Sequence, residues 1–232
     1  MRPMRTEPVL LVHGFASSFE REWREPGWVD LLTDAGREVI PLDLLGHGSS
    51  EKPHDPQAYV DLDRCIDAVL PDDRPVDAIG FSLGAQLLLA VAARAPERFG
   101  RLVLGGIGAN ALVAGDVEPV AHAIETGDAG ADTASVARAF AQFASSPGND
   151  PAALAACMRG RRRHLDQAQI AAVSVPVLLV LGDRDFVGPA DGLLQLLPDA
   201  RLTTLKGADH FGTPKDFRFV DAALAFLEAV PA

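Results

Sequence analysis

The stretch Gly80-Phe81-Ser82-Leu83-Gly84 leaves this chain few choices. An apolar run at residues 76–79, broken only by Asp77, leads into it, and a mostly apolar run at residues 85–93 leads out. This pattern predicts a strand, a sharp turn and a helix, with a serine at the apex. So tight a turn strains the apical residue and brings strand and helix together, and the two glycines remove side chains that would collide there. The hydroxyl is then presented at the carboxyl end of a strand, beside the positive end of a helix. Without its flanks the same pentapeptide reads as a loop with a capping serine; the strand and helix signals on either side favour a nucleophile.

The remaining signals alternate. Residues 9–12 form a wholly apolar strand of the kind buried on both faces of a parallel sheet, followed by the turn His13-Gly14-Phe15. A helix is expected within residues 23–35, then a strand at 37–42, a glycine-rich loop from Asp43 to Ser50, and an amphipathic helix at 59–70. A fourth strand covers 101–105, a fifth 177–181, a sixth 201–205, and residues 217–230 form the closing helix. Between residues 107 and 173 the alternation stops and alanine-rich helical spacing takes over, with Asp150-Pro151 as a cap and first-turn proline. The expected architecture is therefore α/β, a mostly parallel sheet of about six strands with helices on both faces. The core is divided between residues 1–106 and 174–232, and residues 107–173 form an inserted helical cap.

Composition narrows the partners. A net charge of −11 disfavours nucleic acid and anionic membranes, which both call for a basic face. Two cysteines, Cys65 and Cys157, imply no disulfide framework and suit a reducing, cytoplasmic setting. The longest uninterrupted apolar run, residues 87–93, is far short of the ~20 residues needed to span a bilayer. No metal-ligand spacing or dinucleotide fingerprint occurs, so neither a metal nor a cofactor is expected.

A serine hydroxyl needs an imidazole to take its proton and a carboxylate to orient that imidazole. Of six histidines, His210 follows the last strand at the edge where Ser82 ends. His13 and His47 also lie at strand ends but are flanked by glycine in tight turns, where histidine commonly holds loop backbone. His54, His122 and His164 have no positional claim. The acid should follow the fifth strand. Asp185 can turn inward, whereas Asp183, between Gly182 and Arg184, is expected to face solvent or pair with arginine. An oxyanion needs two donors: the N–H of Leu83 at the helix start, and that of Phe15 or Ala16 after the first strand.

Taken in order, His13-Gly14-Phe15, Asp43 with Gly46-His47-Gly48, the Ser82 pentapeptide, Gly182-Asp183-Arg184-Asp185 and Asp209-His210-Phe211 resemble the α/β-hydrolase superfamily. The resemblance implies Ser82, Asp185 and His210 as a triad, Phe15 and Leu83 as the oxyanion hole, and Asp43 and His47 as loop-structuring residues. Three departures stand out. Only twelve residues precede His13, implying a sheet trimmed of an amino-terminal hairpin; Asp209 stands where glycine is frequent, which could place a second carboxylate near the base; and the cap is short.

The resulting expectation is a serine esterase acting on a small-molecule ester, with Phe15, Leu83, Phe186 and Phe211 lining an apolar acyl pocket, as a monomer or homodimer. The same triad would serve a thioester, a lactone or a carbon–carbon bond, and a hydrolase scaffold can also serve as a binding protein with little turnover. The run Arg159-Gly160-Arg161-Arg162-Arg163-His164 reads first as a solvated helix end, and second as a receiver for a substrate phosphate or carboxylate.

Overall fold

The computed structural model describes residues 5–113, 115–127, 135–160 and 164–230. Six strands, β1 (Val9–Val12), β2 (Val39–Leu42), β3 (Val76–Phe81), β4 (Phe99–Gly105), β5 (Val177–Gly182) and β6 (Ala200–Leu205), form one sheet in the order β2-β1-β3-β4-β5-β6. Every pairing is parallel. The sheet is thus wholly rather than mostly parallel. Its central strands β1, β3 and β5 are buried along their full length, so they carry near-continuous apolar runs instead of alternation.

Successive side chains on a strand point to opposite faces, and this splits the core in two. Leu10, Val12, Ala78, Leu102, Leu104 and Leu179 lie in one layer with the long helix α3 (Leu83–Arg94). Val9, Leu11, Ile79, Val103 and Val180 lie in the other, with Trp23, Trp28 and Phe219. That second layer is covered by α1 (Trp28–Asp34) and the carboxyl-terminal helix, and Trp28 stands edge-on to Trp23 at 5.3 Å and to Phe219 at 5.1 Å. Each fully buried aliphatic side chain contributes about 1.5–3 kcal/mol, so the two layers dominate stability.

The apolar run of β3 is interrupted for a reason visible only in three dimensions. Asp77 is fully buried and accepts from Arg37 (2.6 Å) and Arg5 (3.0 Å). Arg37 also donates to the carbonyls of Glu7 (2.8 Å) and Leu227 (2.9 Å), tying the first strand, β3 and the chain's end together.

Two expected helices are broken up. Residues 23–35 divide into a π-helical turn, Glu20–Arg24, and α1, separated by Gly27 at φ 92°. Residues 59–70 contain only a 3₁₀ turn, Pro56–Tyr59, and the short α2 (Arg64–Asp67). The N–H groups of Arg64, Cys65 and Ile66 bond back to Asp61, Leu62 and Asp63, three residues away. Leu62, Ile66 and Leu70 are nevertheless in the core. Apolar spacing of three and four is satisfied by such turns as well as by an α-helix.

Between β4 and β5 lie α4 (Glu118–Thr126), α5 (Ser135–Ala144), α6 (Pro151–Arg159) and α7 (Gln167–Ala171). Asp150 caps α6 as expected, accepting from the N–H groups of Ala152 (3.0 Å) and Ala153 (3.2 Å). After β5 come α8 (Asp191–Leu196) and, after β6, α9 (Phe217–Phe226). Among the described residues no helix is long and apolar enough to cross a membrane.

Candidate active site

The turn between β3 and α3 is as tight as its sequence demands. Ser82 has φ 49°, a left-handed conformation rare for a residue with a side chain, and its N–H is held by the Gly105 carbonyl at 2.8 Å. A Cβ on Gly84 would stand 2.2 Å from the Val12 carbonyl oxygen, and one on Gly80 2.7 Å from Leu88 and 2.8 Å from the Ala85 nitrogen. The helix therefore starts flush against β1, and only glycine allows it.

Loops from three strand ends meet at this apex. Ser82 Oγ lies 3.0 Å from His210 Nε2, while His210 Nδ1 is 2.9 and 3.0 Å from the two carboxylate oxygens of Asp185. An ionised carboxylate only accepts, so Nδ1 carries the proton and Nε2 is left to accept from the serine hydroxyl. The Asp185 side chain is fully buried, and its Oδ1 also accepts from the Val187 N–H at 3.0 Å. Such a chain of contacts can draw a proton from a hydroxyl onto an imidazole and stabilise the resulting cation.

A family model for the alpha/beta hydrolase fold matches residues 7–128, just over half of the 232 residues. The chain belongs to the alpha/beta hydrolase family. Among curated proteins it is 27% identical to a monoacylglycerol lipase of Mycolicibacterium smegmatis, with 94% of this chain and 87% of that protein covered. It is 28% identical to a pimeloyl-[acyl-carrier protein] methyl ester esterase of Neisseria meningitidis, covering 90% and 88%. In fold it is similar to the enol-lactonase of Burkholderia xenovorans, with a TM-score of 0.75 at 20% identity over 98% of this chain and 94% of that one.

In this alpha/beta hydrolase the loop after β1 is pinned from several sides. His13 is fully buried; its Nε2 accepts from the Leu44 N–H (3.1 Å) and its Nδ1 donates to the Gly14 carbonyl (2.8 Å). Burial holds its pKa below the ordinary value, against the Gly14 contact and the Asp43 charge, so the ring is neutral. His13 thus organises backbone, one of the two readings open for it from sequence. His47 Nδ1 donates to the Leu45 carbonyl at 3.0 Å, likewise within its own loop. Asp43 accepts from the N–H groups of Phe19 and Ser49, both at 2.8 Å; burial opposes its ionisation, but these bonds keep the carboxyl below the usual range. Beyond Phe15, Ala16 adopts φ 59° and its carbonyl accepts from Asn149 at 3.0 Å. The Leu83 N–H is the first of α3, where no intrahelical acceptor exists.

The cleft over Ser82 holds only about 40 Å³ and is lined by Phe15, Phe81, Phe140, Phe143, Phe211 and Glu22, among others. Phe15 meets Phe140 edge-on at 5.7 Å, and Phe143 stacks on Phe211 at 4.9 Å. Phe186 does not line this cleft: it is 44% exposed and packs on the His210 ring at 4.5 Å. Leu83, the first residue of α3, has its side chain in the core and is likewise not part of the cleft wall. The sequence showed helical spacing in this segment, but not that Phe140 and Phe143 of α5 cover the cleft. Glu22 was missed, because a glutamate in a helical turn carries no sign that it points inward.

Asp183 is exposed to solvent, as expected; its Oδ1 accepts from the Gly207 N–H at 2.6 Å, and its charge also acts on Arg218. Asp209 uses its carboxylate on the Gly212 N–H at 2.8 Å, closing the loop that carries His210. Of the basic cluster, Arg159 pairs with Glu118 and Glu125, both at 2.8 Å, while residues 161–163 lie outside the described residues. A larger cavity of about 670 Å³ runs along α3, α2 and α6; neither Ser82, Asp185 nor His210 is in its wall.

Proposed function

We propose that this protein is a serine hydrolase that cleaves carboxylic esters of small apolar acyl groups through an acyl-enzyme on Ser82. The reading is carried by one observation: Ser82 Oγ, at the strained apex, stands 3.0 Å from an imidazole whose far nitrogen is held by a buried carboxylate. The esterase and lipase names of its relatives point the same way.

In the reaction, Ser82 Oγ attacks the ester carbonyl as its proton passes to His210 Nε2, and Asp185 stabilises the imidazolium. The carbonyl π electrons move to oxygen, and the N–H groups of Phe15 and Leu83 receive the charge. Each such donor is worth about 2.7–4 kcal/mol in the transition state. Collapse expels the alkoxide, which takes the proton from His210. Water then repeats the sequence on the acyl-enzyme, releasing the acid and restoring Ser82. Residues 107–173 act as the cap, with Phe140 and Phe143 of α5 roofing the cleft. A cleft of about 40 Å³ walled by rings favours short acyl chains.

Intact mass after exposure to a fluorophosphonate, with a panel of p-nitrophenyl esters of rising chain length, tests this directly. One adduct on the wild type, none on Ser82→Ala, and turnover of the short esters lowered at least ~10³-fold by that change are expected. Ester turnover that survives Ser82→Ala would end the assignment.

A further inference from the structure

The cleft contains a carboxyl group that the reaction above does not use. Glu22 is buried on the π-helical turn Glu20–Arg24, next to Trp23, which is fully buried against Trp28. The helix backbone is therefore fixed, and the Glu22 side chain is directed into the wall shared with Ser82 and His210. Its Oε1 accepts from the Gly14 N–H at 2.7 Å, and its Oε2 lies 3.5 Å from where a Gly14 Cβ would be.

Gly14 is the residue before Phe15, so the two peptide units around it set where the Phe15 N–H points. The second unit is held through its carbonyl, which accepts from His13 Nδ1 at 2.8 Å and from the Ser17 N–H at 3.3 Å. In a trans peptide the N–H points opposite to the carbonyl, so this contact aims the Phe15 N–H. The first unit is held through the Gly14 N–H, by Glu22. Glycine has no side chain to limit its φ and ψ, so a Gly14 held on one side alone would leave the loop free to turn.

We propose that Glu22 is a positioning residue for the oxyanion loop: its carboxyl group fixes the His13–Gly14 peptide and thereby holds the Phe15 N–H towards the oxygen that becomes negative when Ser82 attacks. The inference rests on the acyl-transfer reading of Ser82. It has a charge-state consequence. Ionised, Glu22 places a negative charge beside the developing oxyanion; neutral, it still accepts from Gly14 without that repulsion. Burial raises its carboxyl to about 7, against hydrogen bonds from Gly14 and Ser17 and the attraction of Lys215. The titratable and charged groups around it are Lys215 on the 3₁₀ turn Thr213–Lys215, His210 across the cleft, neutral His13 (itself 3.8 Å from Asp43), and Glu20, Arg21 and Arg24 on its own turn.

Two variants and two readouts test this in the full-length protein. Glu22→Ala should lower kcat roughly 10- to 100-fold on a short p-nitrophenyl ester with KM nearly unchanged, since the lost interaction exists only in the transition state. Glu22→Gln keeps the acceptor but cannot ionise. The ratio of its kcat to that of the wild type should rise about tenfold between about pH 6 and pH 8.5. The ¹H–¹⁵N resonance of the Gly14 amide should shift with a midpoint near 7 in the wild type and not in Glu22→Gln. A wild-type kcat in Glu22→Ala, a ratio that stays flat with pH, or a Gly14 amide indifferent to pH would each overturn the inference. Absence of turnover and of a Ser82 adduct in the wild type instead defeats the hydrolase reading, and the catalytic role of Glu22 with it. The Gly14 titration then shows separately whether the Glu22 contact itself is sound.

Discussion

At the scale of single residues, the polar groups buried around the cleft are held by specific partners. Asp185 and His210 are buried together and bonded to each other, so their desolvation is offset within the pair. Glu22 is different: its partners are neutral N–H and O–H groups with one more distant lysine, so desolvation prevails and its carboxyl rises from 4.5 to about 7. Between about pH 4.5 and 7 the folded state therefore binds a proton at Glu22 that the unfolded chain has released. Stability from this group is full below that window and is lost as pH rises through it, by about 3 kcal/mol. In urea melts, the stability of Glu22→Gln relative to wild type should accordingly improve from pH 5 to pH 8, and a constant difference would contradict the burial argument.

At the scale of elements, the functional geometry depends on how closely α3 meets β1 and how α5 lies over the loops. The Gly84 contact with the Val12 carbonyl is backbone against backbone, so neither side can yield by rotating a side chain. Gly84→Ala should cost at least about 3 kcal/mol or prevent folding, since overpacking at rigid sites lies at the upper end of its range. Gly115→Ala, where a Cβ meets nothing within 4 Å, should leave the melting temperature nearly unchanged. Phe140 touches Phe15, Phe186 and Phe211, and so holds the roof together. Phe140→Ala should widen the cleft and shift the ester preference towards longer acyl chains, measured as the ratio of kcat/KM for octanoate to acetate p-nitrophenyl esters. A ratio equal to the wild type's would remove α5 from the specificity argument.

At the scale of the whole molecule, one buried ionic cluster closes the fold at the amino ends of the strands. Arg37 joins Asp77 of β3 to the carbonyls of Glu7 and Leu227, residues from both ends of the chain. Removing the cation leaves a fully buried carboxylate half-paired, a loss of about 3–5 kcal/mol. Arg37→Ala should lower Tm by roughly 6–20 °C, given 2–4 °C per kcal/mol at this size. The exposed pair Arg74–Glu38 is the natural contrast, with side chains 50% and 63% accessible. Arg74→Ala should change stability by no more than about 1 kcal/mol. Equal effects in calorimetry would mean that the buried cluster does not hold the ends together.

What the amino-acid sequence determined by itself is local and periodic. The buried strands announce themselves as short apolar runs, and the glycines at positions 80 and 84 with the serine between them specify a turn that almost nothing else satisfies. The alternation of strands and helices made the parallel α/β architecture legible too, while the order of the strands across the sheet came only from the structure. The tertiary structure decided which side chains meet. Ser82 and His210 are 128 residues apart, and His210 and Asp185 are 25 apart. Whether Asp183 or Asp185 reaches the imidazole depends on one residue's rotation in a loop, and the Gly207 N–H claims the first. Likewise, residues 59–70 have the spacing of a helix, yet i−3 bonds satisfy it. Glu22 lies beyond any sequence pattern, because only the packing of Trp23 and Trp28 turns that position inward. Periodicity reports the face a residue occupies; contact, burial and proton affinity arise from neighbours brought by other parts of the chain.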